Sequence, residues 1–163
     1  MKIKKPLLWT GAVLLIVALD RVVKIWAERA LSNSPAKVFV PKILNLHYTT
    51  NDGAAFSIFS GNRIFLTVVT IAALFVIGFL LIKRVFPHAL SEWALVLVAG
   101  GAIGNLIDRA WKGYVVDMFE FSFVNFAIFN VADIFVTAGG VMLIVYLLFL
   151  SPKDEKKEAG EAL

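Results

Sequence analysis

Four apolar stretches divide the chain, and each approaches the roughly 20 residues that a helix needs to cross a bilayer. They cover roughly residues 7–26, 64–82, 90–109 and 131–150. The second stretch is uncharged, whereas the other three reach full length only by including Asp20, Asp108 or Asp133. Because a charged side chain at membrane depth costs about 2.5–3.5 kcal/mol even on insertion scales, these acids are candidate functional residues.

The connection between the first two spans, about residues 28–63, shows a strand-like pattern instead of a helical one. Apolar residues stand at 38–40 and then alternate with polar ones over 44–49. Asn51-Asp52-Gly53 offers a turn, and 54–59 could be the return strand. A second β-like patch runs over 115–129, and its phenylalanines are expected to rest on the membrane interface or on a substrate.

Composition indicates a membrane protein, since 60% of the 163 residues are hydrophobic. We attribute the net charge of +4 to the basic residues that set membrane topology and contact anionic lipids. No nucleic-acid partner is predicted. Without cysteine, disulfides and thiolate chemistry are excluded. Neither His47 nor His88 lies at a metal-ligand spacing, so we expect no metal site and no cofactor.

Lysine and arginine positions predict the topology. They concentrate before the first span, in the short second connection and after the fourth span, which places both termini in the cytoplasm. The N-terminal run lacks a small-residue cleavage site, so a retained first span is favoured over a cleaved signal peptide. Residues 1–150 are thus expected to form a single integral membrane domain, and 151–163 a disordered, charged cytoplasmic tail. By parity, Asp20, Asp108, Asp117 and Asp133 then lie toward one extracytoplasmic face.

Asp117 and Asp133 are the candidate catalytic pair. Two carboxyl groups in a poorly hydrated place cannot both ionise easily, so they share a proton near neutral pH. Such a pair can hydrolyse an amide, one carboxylate activating water while its protonated partner donates to the carbonyl oxygen. Asp133 follows Asn130 by three residues, so a helix-capping role is an alternative for it. A hard-cation site made of aspartates and asparagines is a further alternative.

The third span carries a polar stripe formed by Gly101, Asn105 and Arg109, which are four residues apart. Gly100 and Gly104 form a small-xxx-small pair, for which close helix packing is favoured. Arg109 either belongs to the site, extends its charged end to the membrane interface, or pairs with the neighbouring Asp108. We expect Asp108 to be structural.

Asp20 and Lys24 can pair on one face of the first span, because they too are four residues apart. A structural ion pair and a role in holding substrate or orienting the site explain them equally well. A proton- or cation-coupled transporter using Asp20, Asp108 and Asp133 is the alternative function, although no internal repeat supports it. A non-catalytic assembly protein is a third possibility.

Together these residues resemble the bacterial lipoprotein signal peptidases (signal peptidase II), which are membrane aspartic peptidases. The matching segments are Asp20-Arg-Val-Val-Lys24, Asn51-Asp-Gly-Ala-Ala-Phe56, Gly100-Gly-Ala-Ile-Gly-Asn-Leu-Ile-Asp-Arg109, Val115-Val-Asp117 and Phe129-Asn-Val-Ala-Asp133. Each is weak alone, but their shared order and approximate spacing are specific. Two departures are Asp52, where threonine is familiar, and Ile134, where a small residue is usual; the first could shift the pH behaviour and the second could narrow the site.

The resemblance implies a function and a fold. It implies that Asp117 and Asp133 are catalytic. The positions that it places along the active site are Asp20, Lys24, Asn51, Gly101, Asn105, Arg109 and Asn130. The substrate would be a lipidated prolipoprotein, cut just before its diacylglyceryl-modified cysteine. The fold would be an all-α membrane core of four transmembrane helices with a small extracytoplasmic β-cradle and a short amphipathic helix. We further expect a monomer in the bacterial cytoplasmic (inner) membrane.

Overall fold

The computed structural model describes residues 5–53, 59 and 61–151, and over these ranges it contains four long helices. They are α1 (Lys5–Leu31), α2 (Arg63–Lys83), α3 (Ala89–Trp111) and α4 (Val131–Val145), and α4 continues as a π-helical turn over Tyr146–Leu150. Within the described ranges, α1, α2, α3 and the combined helix Val131–Leu150 are long and apolar enough to cross a membrane. The prediction of four spans is therefore confirmed, although α1 extends beyond its predicted limits at both ends.

Helix α3 is the centre of the bundle. In the most apolar 18-residue segment of α3, 56% of the residues are buried, whereas only 11% are buried in the corresponding segment of each other helix. Glycines allow this close packing: a methyl group on Gly100 would come within 2.9 Å of Ile16 in α1. One on Gly139 of α4 would come within 2.6 Å of the carbonyl oxygen of Ala94. The packing interpretation of Gly100 is confirmed, and the outward faces of α1, α2 and α4 are left for lipid.

A three-stranded antiparallel sheet lies at one end of the bundle. Its strands are β1 (Lys37–Val40), β2 (Leu44–Asn51) and β3 (Val115–Phe121), in the order β1-β2-β3. Ala27 and Leu31, at the end of α1, pack against Val116 and Met118 of β3. The strands predicted near 38–40 and 44–49 are confirmed. The β-like patch predicted at 115–129 forms a strand only as far as Phe121. Beyond the strand, Phe129 pairs with Phe119 through an isolated β-bridge.

Two expectations fall largely outside the described part of the chain. The return strand was predicted at 54–59, and the structure does not describe residues 54–58. The disordered tail was predicted at 151–163, and the structure does not describe residues 152–163.

The opposite end of the bundle holds a buried acid that the sequence interpretation overlooked. Glu92, near the start of α3, is 5% exposed and receives a salt bridge of 2.7 Å from Lys5. The guanidinium of Arg84 lies 3.9 Å from its other oxygen. Glu92 therefore lies apart from the four aspartates that the sequence interpretation placed toward one face.

Candidate active site

Asp117 is held by the sheet. It is the third residue of β3 and lies opposite Thr49 of β2 in the antiparallel register. Its neighbours Val116 and Met118 are fully buried, and alternation along the strand therefore turns Asp117 to the other face. The carboxyl group is itself only 2% exposed.

Asp133 is held by the start of α4. Asn130 caps this helix: its Oδ1 accepts a hydrogen bond of 3.0 Å from the Asp133 backbone N–H. In return the Asn130 backbone N–H donates to Asp133 Oδ2 at 3.1 Å, which completes a capping box. The capping alternative is thus correct for one oxygen of Asp133. The other oxygen, Oδ1, accepts a hydrogen bond of 2.8 Å from Asn105 of α3.

Asn130 connects the two carboxyl groups. Besides its contacts with Asp133, its side-chain amide donates to Asp117 Oδ1 at 2.6 Å. The second oxygen of Asp117 accepts a hydrogen bond of 3.2 Å from Asn51, at the end of β2. A single, fully buried asparagine therefore contacts both aspartates directly.

Both aspartates line a cavity of about 580 Å³. Its polar lining residues are Asn51, Asn105, Arg109, Asp117, Asn130, Asp133 and Thr137. The remainder is largely apolar, and Phe121, Phe126 and Phe129 form one wall, with ring centroids 5.0–6.4 Å apart. Ile134 also lines the cavity. Two carboxyl groups thus face a space suited to an apolar ligand that carries an amide.

Burial raises the pKa of Asp117 to about 6. The hydrogen bond from Asn130 opposes this rise, the negative charge of Asp133 adds to it, and the hydrogen bond from Asn51 opposes it again. A carboxyl group with such a pKa remains partly protonated close to neutral pH, as a general acid requires.

Behind the cavity wall lies a buried ion cluster formed by Asp20, Arg21, Lys24 and Asp108. The Lys24 ammonium lies 3.0 Å from both carboxylates. Arg21 bridges the same two acids, at 3.2 Å from Asp20 and 2.7 Å from Asp108. The expected pair of Asp20 with Lys24 is confirmed. The sequence interpretation missed Arg21, although the adjacent charges in α1 were a signal for it.

Arg109 does not pair with Asp108, so the pairing alternative is wrong. Neighbouring helical residues point about 100° apart, and Asp108 faces α1 while Arg109 faces the loop after β2. There Arg109 donates a hydrogen bond of 2.9 Å to the carbonyl oxygen of Gly53. The guanidinium thus ties α3 to the segment that follows Asn51.

Three of the predicted site residues lie outside the cavity lining among the residues that the structure describes: Asp20, Lys24 and Gly101. Gly101 allows α3 to pack closely against α4, since a methyl group there would clash with the Ala132 carbonyl oxygen and come within 2.8 Å of Val136. The helices that carry Asn105 and Asp133 approach each other at this point. In the described part of the chain, no three metal-ligating side chains converge.

Comparisons with known proteins extend over nearly the whole chain. Residues 12–149 match the family Peptidase_A8, signal peptidase (SPase) II. A lipoprotein signal peptidase of Lactobacillus gasseri is 40% identical over 154 residues, covering 94% of this chain and all of the relative. One from Lactobacillus johnsonii is 37% identical over 150 residues, covering 92% and 97%. A solved bacterial membrane enzyme, 32% identical, superposes with a TM-score of 0.83 and covers 91% of this chain and 92% of its own.

Proposed function

This chain belongs to the signal peptidase II family, and on that premise we propose that Asp117 and Asp133 are its catalytic pair. As an aspartic-type lipoprotein signal peptidase, it removes signal peptides from prolipoproteins. The transporter alternative is not favoured. The observation that supports the catalytic assignment best is that Asn130 hydrogen-bonds both carboxyl groups at the wall of one cavity.

In the proposed reaction, one carboxyl group is ionised and the other is protonated. The ionised group removes a proton from a water molecule, whose oxygen attacks the scissile carbonyl carbon, while the protonated group donates to the carbonyl oxygen. Collapse of the tetrahedral intermediate breaks the C–N bond, and the new amine leaves with a proton from the pair. The amides of Asn51, Asn105 and Asn130 hold the carboxyl groups in position, and each oxygen keeps a lone pair for the reaction.

The substrate that we propose is a prolipoprotein whose cysteine already carries a diacylglyceryl group, with cleavage just before that cysteine. The phenylalanine wall supports this choice, because it offers an apolar surface directly beside the carboxyl groups. A water-soluble peptide would gain little from such a wall, whereas an acyl chain or an apolar signal segment would bury surface against it. Arg109, which also lines the cavity, supplies positive charge beside the two acids.

We also propose that the site faces the extracytoplasmic side of the bacterial cytoplasmic membrane, with both termini in the cytoplasm. The basic residues Lys5, Lys83 and Arg84 lie at the bundle end opposite the sheet, which supports this orientation under the positive-inside rule. A monomer suffices for the proposed chemistry, since one chain provides both aspartates and their asparagines.

The test is cleavage of a lipidated prolipoprotein peptide by purified protein in detergent micelles. We expect Asp117→Asn and Asp133→Asn to lower the rate at least about 100-fold while leaving thermal unfolding close to that of the wild type. Glu120→Gln is the matched control, because Glu120 lies on the same strand as Asp117 but contacts Asn45 and His47. Wild-type cleavage by either aspartate variant would overturn the catalytic assignment. Equal cleavage of lipidated and unlipidated peptides would overturn the substrate assignment.

A further inference from the structure

We propose that the buried ion cluster of Asp20, Arg21, Lys24 and Asp108 is a positioning device that sets the relative placement of the two catalytic carboxyl groups. The inference rests on the proposed function of Asp117 and Asp133. It gives Arg21 and Asp108 a part in the reaction that neither their sequence positions nor the cavity lining reveals.

The first observation is that the cluster lies apart from the substrate cavity. Asp20 and Asp108 have no exposed surface, Lys24 is 1% exposed, and only Arg21 is partly exposed, at 22% of its side chain. Among the described residues, none of the four lines the cavity that contains Asp117 and Asp133. Side chains placed in this way cannot touch the peptide, so any effect on the reaction must pass through other residues.

The second observation is that each acid of the cluster holds the backbone beside one catalytic aspartate. Asp20 Oδ1 accepts a hydrogen bond of 3.0 Å from the N–H of Ala132, the residue before Asp133. Asp108 Oδ2 accepts one of 3.4 Å from the N–H of Val116, the residue before Asp117. The two acids thus hold the start of α4 and the start of β3.

The third observation is that Lys24 joins these two contacts. Its ammonium lies 3.0 Å from Asp20 Oδ2 and 3.0 Å from Asp108 Oδ2, and it donates to Asn105 Oδ1 at 2.8 Å. These partners use all three ammonium hydrogens. The amide of Asn105 is thereby oriented so that its NH₂ group donates to Asp133 at 2.8 Å. Lys24 therefore acts on Asp133 through Asn105.

Arg21 completes the charge balance. With two acids and two bases the cluster is neutral, which a group of buried charges requires. Its Nη1 donates to Asp108 Oδ1 at 2.7 Å and its Nη2 lies within 3.5 Å of the Gly104 carbonyl oxygen. Arg21 therefore fixes Asp108 against α3, and Asp108 in turn holds β3.

The experiment compares Asp108→Asn with Glu92→Gln in the purified full chain. Glu92 is a matched control because it is also a buried acid with one lysine and one arginine nearby, but it lies at the other end of the bundle. We expect Asp108→Asn to lower kcat about 10- to 100-fold with KM nearly unchanged, since misplacing reacting groups by about 1 Å has effects of that size. Glu92→Gln should lower thermal stability without changing kcat.

A pair of Arg21 variants keeps the proposal testable if Asp108→Asn does not fold. The Arg21 side chain is 22% exposed, so its replacement disturbs the bundle less. Arg21→Gln should lower kcat, and Arg21→Lys should restore part of the loss because it returns the charge beside Asp108. A wild-type kcat in Arg21→Gln, or the same loss of kcat in Glu92→Gln as in Asp108→Asn, would overturn the positioning role.

Failure of this inference and failure of the catalytic assignment give different results. An active Asp117→Asn variant would refute the catalytic pair itself. An inactive Asp117→Asn together with a fully active, folded Asp108→Asn would leave the pair intact and refute only the positioning role.

Discussion

The carboxyl group of Asp117 should make the folded protein less stable as the pH rises, and Asp117→Asn should remove that dependence. Burial is the main cause, because ionisation leaves a charge in a poorly hydrated place beside Asp133. The pKa of Asp117 is therefore higher in the folded chain than in the unfolded chain.

The magnitude follows from the size of that rise. A pKa that increases from 3.8 to about 6 corresponds to about 3 kcal/mol, at about 1.36 kcal/mol per pH unit. Because the folded state binds the proton more tightly, its stabilisation is complete below pH 3.8 and is lost as the pH rises through about 6. Wild type should thus lose about 3 kcal/mol relative to Asp117→Asn over the whole titration, from well below pH 3.8 to well above pH 6.

Two measurements check this expectation. The first is the free energy of unfolding in mixed micelles at several pH values, taken as the difference between wild type and Asp117→Asn so that other titrating groups largely cancel. The second is ¹³C NMR of labelled aspartate carboxyl carbons, in which a transition near pH 6 should disappear in Asp117→Asn. Asp133→Asn should lower that midpoint, and Asn51→Ala should raise it, because the Asn51 hydrogen bond lowers the pKa of Asp117.

A difference in unfolding free energy that stays flat across this range would contradict a raised pKa for Asp117. A wild type that gains stability over Asp117→Asn as the pH rises would contradict it as well. A midpoint that stays unchanged in both Asp133→Asn and Asn51→Ala would show that burial alone sets the pKa.

Three further predictions concern the packing and chemistry around the site. Asn130→Ala should destabilise the protein by about 2–4 kcal/mol in denaturant unfolding, because it loses both a helix cap and a buried hydrogen bond to Asp117; stability equal to wild type would contradict this. Gly101→Ala should lower the free energy of unfolding by about 1–3 kcal/mol, because the added methyl group forces α3 and α4 apart. Gly140→Ala should leave this free energy unchanged or raise it, because a methyl group there has no neighbouring atom within 4 Å. A chelator should leave peptide cleavage unchanged, and activity restored only by adding a divalent cation would refute the two-carboxylate mechanism.

The helices could be predicted from the sequence because their signal is local. Each span is a largely apolar run, and its limits were predicted to within a few residues except at the C-terminal end of α1, which continues to Leu31. The strands β1 and β2 were also visible through local signals: β1 is a short apolar run, and β2 alternates apolar and polar residues. The end of β3 at Phe121 was not, because Phe123 and Phe126 continue the apolar pattern while packing against Phe121 instead of pairing as strands.

Apart from the local pair of Asp20 with Lys24, the partners of the charged residues could not be predicted, because they are distant in sequence. Asp108 neighbours Arg109 in the chain, but it pairs with Arg21, 87 residues away. The Asp20 contact with Ala132 spans 112 residues. Only the helix packing brings these groups together, and the small residues that permit this packing do not themselves indicate which faces meet. Glu92 itself is visible in the sequence as a charge within the third apolar stretch, whereas its partner Lys5 belongs to another helix and could not be predicted.

The buried ion cluster has a consequence for the order in which the chain can be assembled. Asp20, Arg21 and Lys24 enter the bilayer with α1, but Asp108 arrives only with α3. Until α3 is inserted, α1 carries an excess positive charge at its sheet-facing end, which a lone helix must expose to headgroups or water. A nascent chain that stopped after α2 would therefore contain an incompletely neutralised span.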